Sequence, residues 1–257
     1  MARVFVQATL PHKSTDSLVH TRRNGRLTFK ITADKDFGLP YGRYPRLLLA
    51  WMTREACRTK SRLLELGHSL SSFMAELGLT PTGGRSGTIP RLRDQMTRLF
   101  LSTVSFTEYD PERGKLADDR FTVADRTRLW WSPSKERDLP FWGSYVVLSE
   151  PGFRAMTNRP VPVDMTVLRS LRSPLALDIY CWLTYRNSYL RRPTRIPWPA
   201  LAAQFGASYS DRRNFKRKFT LALRQVLALY PSGRVAKVRG GLQLIPSPSH
   251  IERGLLR

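Results

Sequence analysis

The run DRRNFKRKFTLALRQVLALYPSGRVAKVRGGLQLI, from Asp211 to Ile245, decides the fold. Phe215, Phe219, Ala222, Val226 and Tyr230 recur at three- and four-residue intervals, the spacing of one buried helix face, and Asp211 stands where an N-cap is wanted. Pro231 ends the pattern, because proline cannot donate the backbone bond that a helix interior needs. Beyond it, RVAKV and LQLI read as two strands joined by a glycine turn, a β-hairpin with Arg239 at its tip.

Working back towards the N-terminus, SPLALDIYCWLTYRN (173–187) has the apolar content of a long buried helix, RPTRIP (192–197) is extended, and WPALAAQFG (198–206) is a short helix closed by Gly206. The same order stands earlier in the chain. YPRLLLAWMTREACRT (44–59) is a helix with Trp51 where the later one has Trp182. SRLLELG (61–67) is strand-like, and HSLSSFMAELGL (68–79) is a helix with Ser69 as N-cap and Gly78 just past its end. After a glycine loop, Thr88 is placed to cap a third helix whose buried side is Ile89, Leu92, Met96, Leu99 and Phe100; STVSFTEYD (102–110) then alternates as a strand.

Helix, strand, helix, turn, helix, hairpin is the order of a winged helix, and its recurrence after about 130 residues predicts an α+β fold of two tandem winged-helix domains related by internal duplication. The expected division is a basic, partly disordered N-terminal arm over 1–36, including RRNGR (22–26), then domains over 37–150 and 151–257.

Charge supplies the functional direction. The 257 residues carry 43 Lys and Arg against 20 Asp and Glu, a net charge of +23 and a pI of about 11.1, which implies a polyanionic partner. The excess is segregated. Residues 1–100 hold 17 basic and 7 acidic side chains, 101–150 hold 7 and 9, and 151–257 hold 19 and 4, so two cationic lobes flank a near-neutral middle and imply two contact surfaces.

On the first candidate recognition helix, 100° per residue places Arg91 and Arg98 opposite the apolar stripe with Gln95 at its flank; Arg93 falls nearer the buried edge, and Arg85 lies in the incoming loop. On the second, Arg213, Arg217, Thr220 and Arg224 point away from the core, with Asn214, Lys216 and Lys218 flanking. Arginine is suited to guanine O6 and N7, Asn or Gln to adenine, and Arg or Lys to phosphate. Helix N-termini at Thr88 and Asp211 add amides for a phosphate, and Lys237 and Arg239 of the hairpin reach backbone. The expected DNA-binding set is therefore Arg85, Thr88, Arg91, Gln95, Arg98, Arg213, Asn214, Lys216, Arg217, Thr220, Arg224, Lys237 and Arg239.

Other motifs have plainer readings. TGGRSG (82–87) lacks the Gly-Lys-Ser/Thr ending of a phosphate-binding loop. Trp130, Trp131 and Trp142 fit core or interface positions better than base stacking. His12, His20, His68 and His250 lack metal-ligand spacing, and Asp34, Asp36, Asp118 and Asp119 read as solvated loop carboxylates, so neither catalysis nor a cofactor is expected. Cys57 and Cys181 sit in apolar helical patterns, as reduced thiols in a reducing compartment do. With no signal-peptide core and no apolar run approaching about 20 residues, the expected location is the bacterial cytoplasm, without membrane contact.

LPYGRYPRLLLAW (39–51), TKSRLLELGHSLSSFMAELGL (59–79), GGRSGTIPRLRDQMTRLF (83–100), SPLALDIYCWLTYR (173–186) and RIPWPALAAQFG (195–206) resemble the plasmid-encoded RepA family of replication initiators, from Leu39 to Ser249. The resemblance implies binding of double-stranded origin repeats (iterons), opening of adjacent AT-rich DNA, recruitment of host initiator and helicase, and a homodimeric form through the N-terminal domain. A transcriptional regulator with the same contact surfaces, an origin-nicking metal-dependent nuclease and a nucleoid-coating protein are the alternatives.

Overall fold

In the computed structural model, residues 1–129, 143–206, 209 and 211–251 are described; Trp130, Trp131 and Trp142 lie outside them. The first 36 residues, read from sequence as a basic and partly disordered arm, contain a short helix and a hairpin. Helix α1 (Arg3–Gln7) buries Phe5 and Val6, and strands β1 (Val19–Asn24) and β2 (Leu27–Thr32) pair antiparallel with Asn24 opposite Leu27. Gly25, at φ +60°, supplies the left-handed conformation for that tight turn. An Asn-Gly pair between strand-like runs is a hairpin signal, and the density of arginine around it had masked it.

The first copy of the repeated order runs α2 (Arg43–Thr59), β3 (Leu63–Glu65), α3 (Leu70–Glu76) and α4 (Thr88–Leu101). Ser69 caps α3 through a reciprocal pair with Ser72, which satisfies two otherwise orphaned groups at the helix start. A long hairpin follows, β4 (Thr103–Asp110) and β5 (Lys115–Thr122), and then β6 (Ala124–Arg128) and β7 (Tyr145–Leu148). The alternating strand β4 does not join β3. It lies between β2 and β5 in a four-stranded sheet of order β1-β2-β4-β5, where Phe106 stacks on Phe121 and packs tilted against Phe29, and Phe5 of α1 meets Phe29 and Phe106 edge-on. Carboxylates of the near-neutral middle segment are matched to arginines: Asp110 and Glu112 with Arg26, Asp118 with Arg120, and Asp125 and Glu150 with Arg62.

Two short helices, α5 (Glu150–Thr157) and α6 (Met165–Ser170), lead to the second copy: α7 (Pro174–Asn187), β8 (Thr194–Pro197), α8 (Trp198–Phe205), α9 (Arg212–Leu229), β9 (Arg234–Val238) and β10 (Gly241–Ile245). Ser173 caps α7 with Pro174 at its first position, where a missing N–H costs nothing. The two small sheets have the same antiparallel order, β3-β7-β6 and β8-β10-β9. The tryptophans match as well. Trp51 of α2 meets Phe73 of α3 edge-on at 5.0 Å, and Trp182 of α7 meets Phe205 of α8 edge-on at 5.6 Å.

Buried apolar side chains from both copies and from α1 belong to one connected core. At its centre α2 and α7 are joined by a buried ion pair. Arg46, 3% exposed, donates through Nε to Asp178 Oδ1 at 2.7 Å and through Nη2 to Asp178 Oδ2 at 2.8 Å, with further bonds to the Leu10, Pro11 and Gly42 carbonyls. His12 Nε2 completes the carboxylate's shell at 2.8 Å. A second junction passes Gly78, whose φ of +68° favours glycine and where a Cβ would stand 2.6 Å from the Arg169 side chain of α6. Arg169 Nε in turn donates to the Glu76 carbonyl at 2.7 Å.

Burial lowers the basicity of His12 and pushes His20 down to about 4, with the Arg22 guanidinium as the next cause for His20. An unfolded chain takes up those protons near pH 6.5, whereas the folded chain resists until His20 titrates near 4, so stability falls as pH drops through that interval. The melting temperature is expected to decline from pH 7 to pH 4.5. In His20→Gln the decline should be visibly shallower, and an equal slope in the variant would contradict the assignment.

Candidate nucleic-acid interface

Trp198 organises the second copy's basic surface. Its ring meets Phe215 at 6.4 Å and Phe219 at 5.9 Å, both edge-on, and also lines the groove between α9 and the β9–β10 hairpin. The hairpin is held to the same residue, since the Trp198 amide donates to the Gly240 carbonyl at 3.1 Å. Gly241 is required at this crossing: a Cβ there would lie 2.2 Å from the Ile196 carbonyl oxygen. The result is a concave groove of 450 Å³ between helix and hairpin, lined by Trp198, Lys216, Arg217, Thr220, Arg224 and Lys237 among others.

Of the residues expected on this face, Arg213, Asn214, Arg217, Arg224, Lys237 and Arg239 are exposed, while Lys216 and Thr220 are half-buried. Lys216 Nζ stands 5.8 Å over the Trp198 ring, and Arg217 Nη2 donates to Asn214 Oδ1 at 3.1 Å. Among the described residues none of Arg213, Lys216, Arg217, Arg224, Lys237 or Arg239 forms an ion pair. Arg195, not singled out from sequence, donates to the Arg239 carbonyl and pins the hairpin tip. No periodicity within β8 signals that contact.

The first copy departs from its helical-wheel reading. Gln95 is buried at 3% exposure, its Oε1 accepting the Tyr41 amide at 2.7 Å and its Nε2 donating to Asp94 at 2.9 Å. Arg98 pairs with Asp94 at 2.8 Å, lies 5.5 Å from the Tyr41 ring centre and reaches the Leu39 carbonyl at 3.4 Å. Neither belongs to an open contact face, because the segment Leu39–Tyr41 covers that side of α4. Arg91 remains exposed, as does Arg85 in the loop, and Arg93, placed from sequence near the buried edge, is exposed too.

Both helix N-termini also differ from expectation. The N-cap of α4 is Gly87, and Thr88 lies within the helix; its hydroxyl donates to the Thr80 carbonyl at 2.5 Å and accepts from the Thr82 amide at 2.9 Å. Thr82 in turn takes the first amides of the helix, from Thr88 at 2.9 Å and Ile89 at 3.2 Å. At α9 the cap is Asp211 as read, but its carboxylate accepts from the Arg213 and Asn214 amides, both at 2.9 Å, and these backbone bonds hold its pKa below the ordinary carboxylate value. The amides of Thr88, Ile89, Arg213 and Asn214 are therefore satisfied within the chain, and the side chains are the principal cationic groups.

Among the described residues no group of His, Cys, Asp and Glu could hold a metal ion, and no helix is long and apolar enough to cross a membrane. His12, His20 and His250 are engaged by Asp178, the Thr9 carbonyl and Tyr180 respectively.

The family model described as plasmid-encoded RepA protein matches residues 39–198. No curated protein matches the sequence. Two solved structures share the fold. A selenomethionine crystal structure of domains 2 and 3 of RctB aligns at TM-score 0.63 with 15% identity over 98% of each chain. A second structure of RctB domains 2-3 aligns at 0.58 with 13% identity, covering 95% of this chain and 96% of that one.

Proposed function

Because this chain belongs to the plasmid-encoded RepA family, whose members initiate plasmid replication, we propose that it acts by binding repeated duplex sequences at its origin through two winged-helix units. The observation that carries the reading is the groove between α9 and the β9–β10 hairpin, cationic and without ion-pair partners among the described residues. A winged helix straddles one phosphodiester strand, its third helix in the major groove and its hairpin on the adjacent backbone. The α9 groove has the residues for both tasks: Arg213, Asn214 and Arg217 towards base edges, Lys216, Thr220, Arg224, Lys237 and Arg239 towards phosphate.

The matching order of the two small sheets supports reading residues 37–150 as a related unit, with β6–β7 in the place of the hairpin. Its contact set is narrower than the α9 groove, namely Arg85, Arg91 and Arg93, because Gln95 is buried and the half-buried Arg98 is engaged by Asp94, Tyr41 and the Leu39 carbonyl. The first copy in this reading adds affinity and register, and the second reads bases. Origin opening, recruitment of host initiator and helicase, and a homodimeric form follow from the family alone.

Two such units on one duplex meet major-groove faces that recur about every 10 base pairs. Footprinting on the DNA that flanks the gene in its replicon is expected to show protection of roughly two helical turns per repeat, persisting as salt rises. Protection that spreads without preferred boundaries and vanishes with modest salt would instead describe a nucleoid-coating protein.

A further inference from the structure

A second cationic cavity, of 610 Å³, shares no residue with the α9 groove. It is lined by Arg3 of α1, by Arg159 to Pro162 in the connection between α5 and α6, and by Tyr185 and Tyr189 at the end of α7. Its volume lies within the roughly 300 to 1,000 Å³ typical of small-molecule sites.

The walls are held in place. The Val161 amide donates to the Met1 carbonyl at 2.9 Å, and prolines on either side restrict the backbone. Arg159 has φ +50°, a left-handed conformation that costs a non-glycine residue about 1 kcal/mol or more and persists only where the surroundings impose it. Tyr189 is fixed by Arg186, whose Nη1 donates to the phenol oxygen at 2.9 Å and whose guanidinium lies 5.3 Å from the ring centre. Tyr185 meets the same ring edge-on at 5.0 Å, and Tyr189 is still 42% exposed.

The cations are not neutralised. Among the described residues Arg3, Arg159 and Arg186 form no ion pair, and the buried Nε atoms of Arg3 and Arg186 have no hydrogen-bond partner. Unpaired guanidinium groups beside a positioned phenol ring suit a ligand with an anionic oxygen cluster at one end and a flat aromatic ring at the other. A duplex does not offer that combination, because its bases are stacked on one another.

From this juxtaposition of Arg3, Arg159 and Tyr189 the geometry points to a site for one nucleoside 5′-phosphate unit, its phosphate on the arginines and its base against the tyrosine. The unit comes either from an unpaired DNA strand or from a free nucleotide; the first source rests on the proposed function, the second does not.

The experiment uses the full chain at moderate salt and three probes: fluorescein-labelled oligothymidylate, a fluorescent ATP analogue, and a labelled duplex read in parallel. Tyr189→Ala is expected to weaken the probe that binds by about five- to a hundredfold, the range for loss of one base–aromatic stack. Tyr189→Phe keeps the ring and should stay near wild type. Arg159→Gly, which relieves the left-handed strain, should weaken binding and, with oligothymidylate, lower the salt slope by about 0.7. Duplex affinity should not move in any of the three. Loss for oligothymidylate alone assigns the site to an unpaired strand, and loss for the ATP analogue alone assigns it to a free nucleotide. Unchanged binding of both probes in Tyr189→Ala overturns the site, as does inorganic phosphate displacing the bound probe as well as thymidine 5′-monophosphate does. Duplex binding absent from the wild-type protein would count against the proposed function, while the nucleotide measurements would still decide this site.

Discussion

Replacing Asp178 with alanine is expected to lower folding stability by about 3 to 5 kcal/mol, the usual result of removing one partner from a buried ion pair. Arg46 is left with its guanidinium at 3% exposure and no counter-charge, while His12 Nε2 loses its acceptor. Burial alone would raise the Asp178 carboxyl, but the Arg46 guanidinium and the hydrogen bonds from His12 and Arg46 outweigh it and hold it below the usual value. The carboxylate thus contributes stability at neutral pH that is lost only as pH falls below about 4. Urea denaturation at pH 7 measures the effect. The double variant Arg46→Met, Asp178→Leu should recover only part of the loss, because it removes the orphaned charge but leaves the Leu10, Pro11 and Gly42 carbonyls without their donor. A loss below about 1 kcal/mol in Asp178→Ala would mean that Arg46 reaches water on its own. The same pair ties α2 to α7, two helices distant in the sequence.

Arg217→Ala is expected to weaken binding to the origin repeat by about 10- to 100-fold, since a bidentate base contact is worth roughly 1 to 3 kcal/mol, and to weaken binding to random duplex much less. The Asn214 side chain orients the Arg217 guanidinium at 3.1 Å, so Asn214→Ala should lose part of the same discrimination. Lys237→Ala behaves differently. A hairpin lysine on a phosphate should weaken both DNAs alike and reduce the salt slope by about one. Titrations of each variant against both duplexes at several salt concentrations separate the two roles. Equal losses on both DNAs from Arg217→Ala would remove it from the base-reading group and leave the α9 face as a phosphate clamp.

Much of the architecture was legible before any coordinate. The buried stripe Phe215, Phe219, Ala222, Val226, the Asp211 cap and the closing hairpin all follow from local patterns, and the structure has them. Gln95 could also have been placed: it lies three residues after Leu92 and four before Leu99, on the buried face that those residues define. Arg98 could not. Its side of α4 is polar by every local measure and is covered by a loop almost 60 residues away, a contact that nothing in the helix encodes.

What the sequence determined by itself is what local patterns and composition specify: which face of a helix is apolar, where a cap or a turn must stand, and that the chain is strongly cationic. The tertiary structure alone decided which cations remain open to a partner. It closed Gln95 and Arg98 under Leu39–Tyr41, satisfied the helix-terminal amides through Thr82 and Asp211, and brought Trp198 and Gly241 together so that α9 and the hairpin share one groove. The reason is physical. Periodicity records the free energy of burying a stripe, whereas exposure of the opposite side depends on which distant segment folds across it.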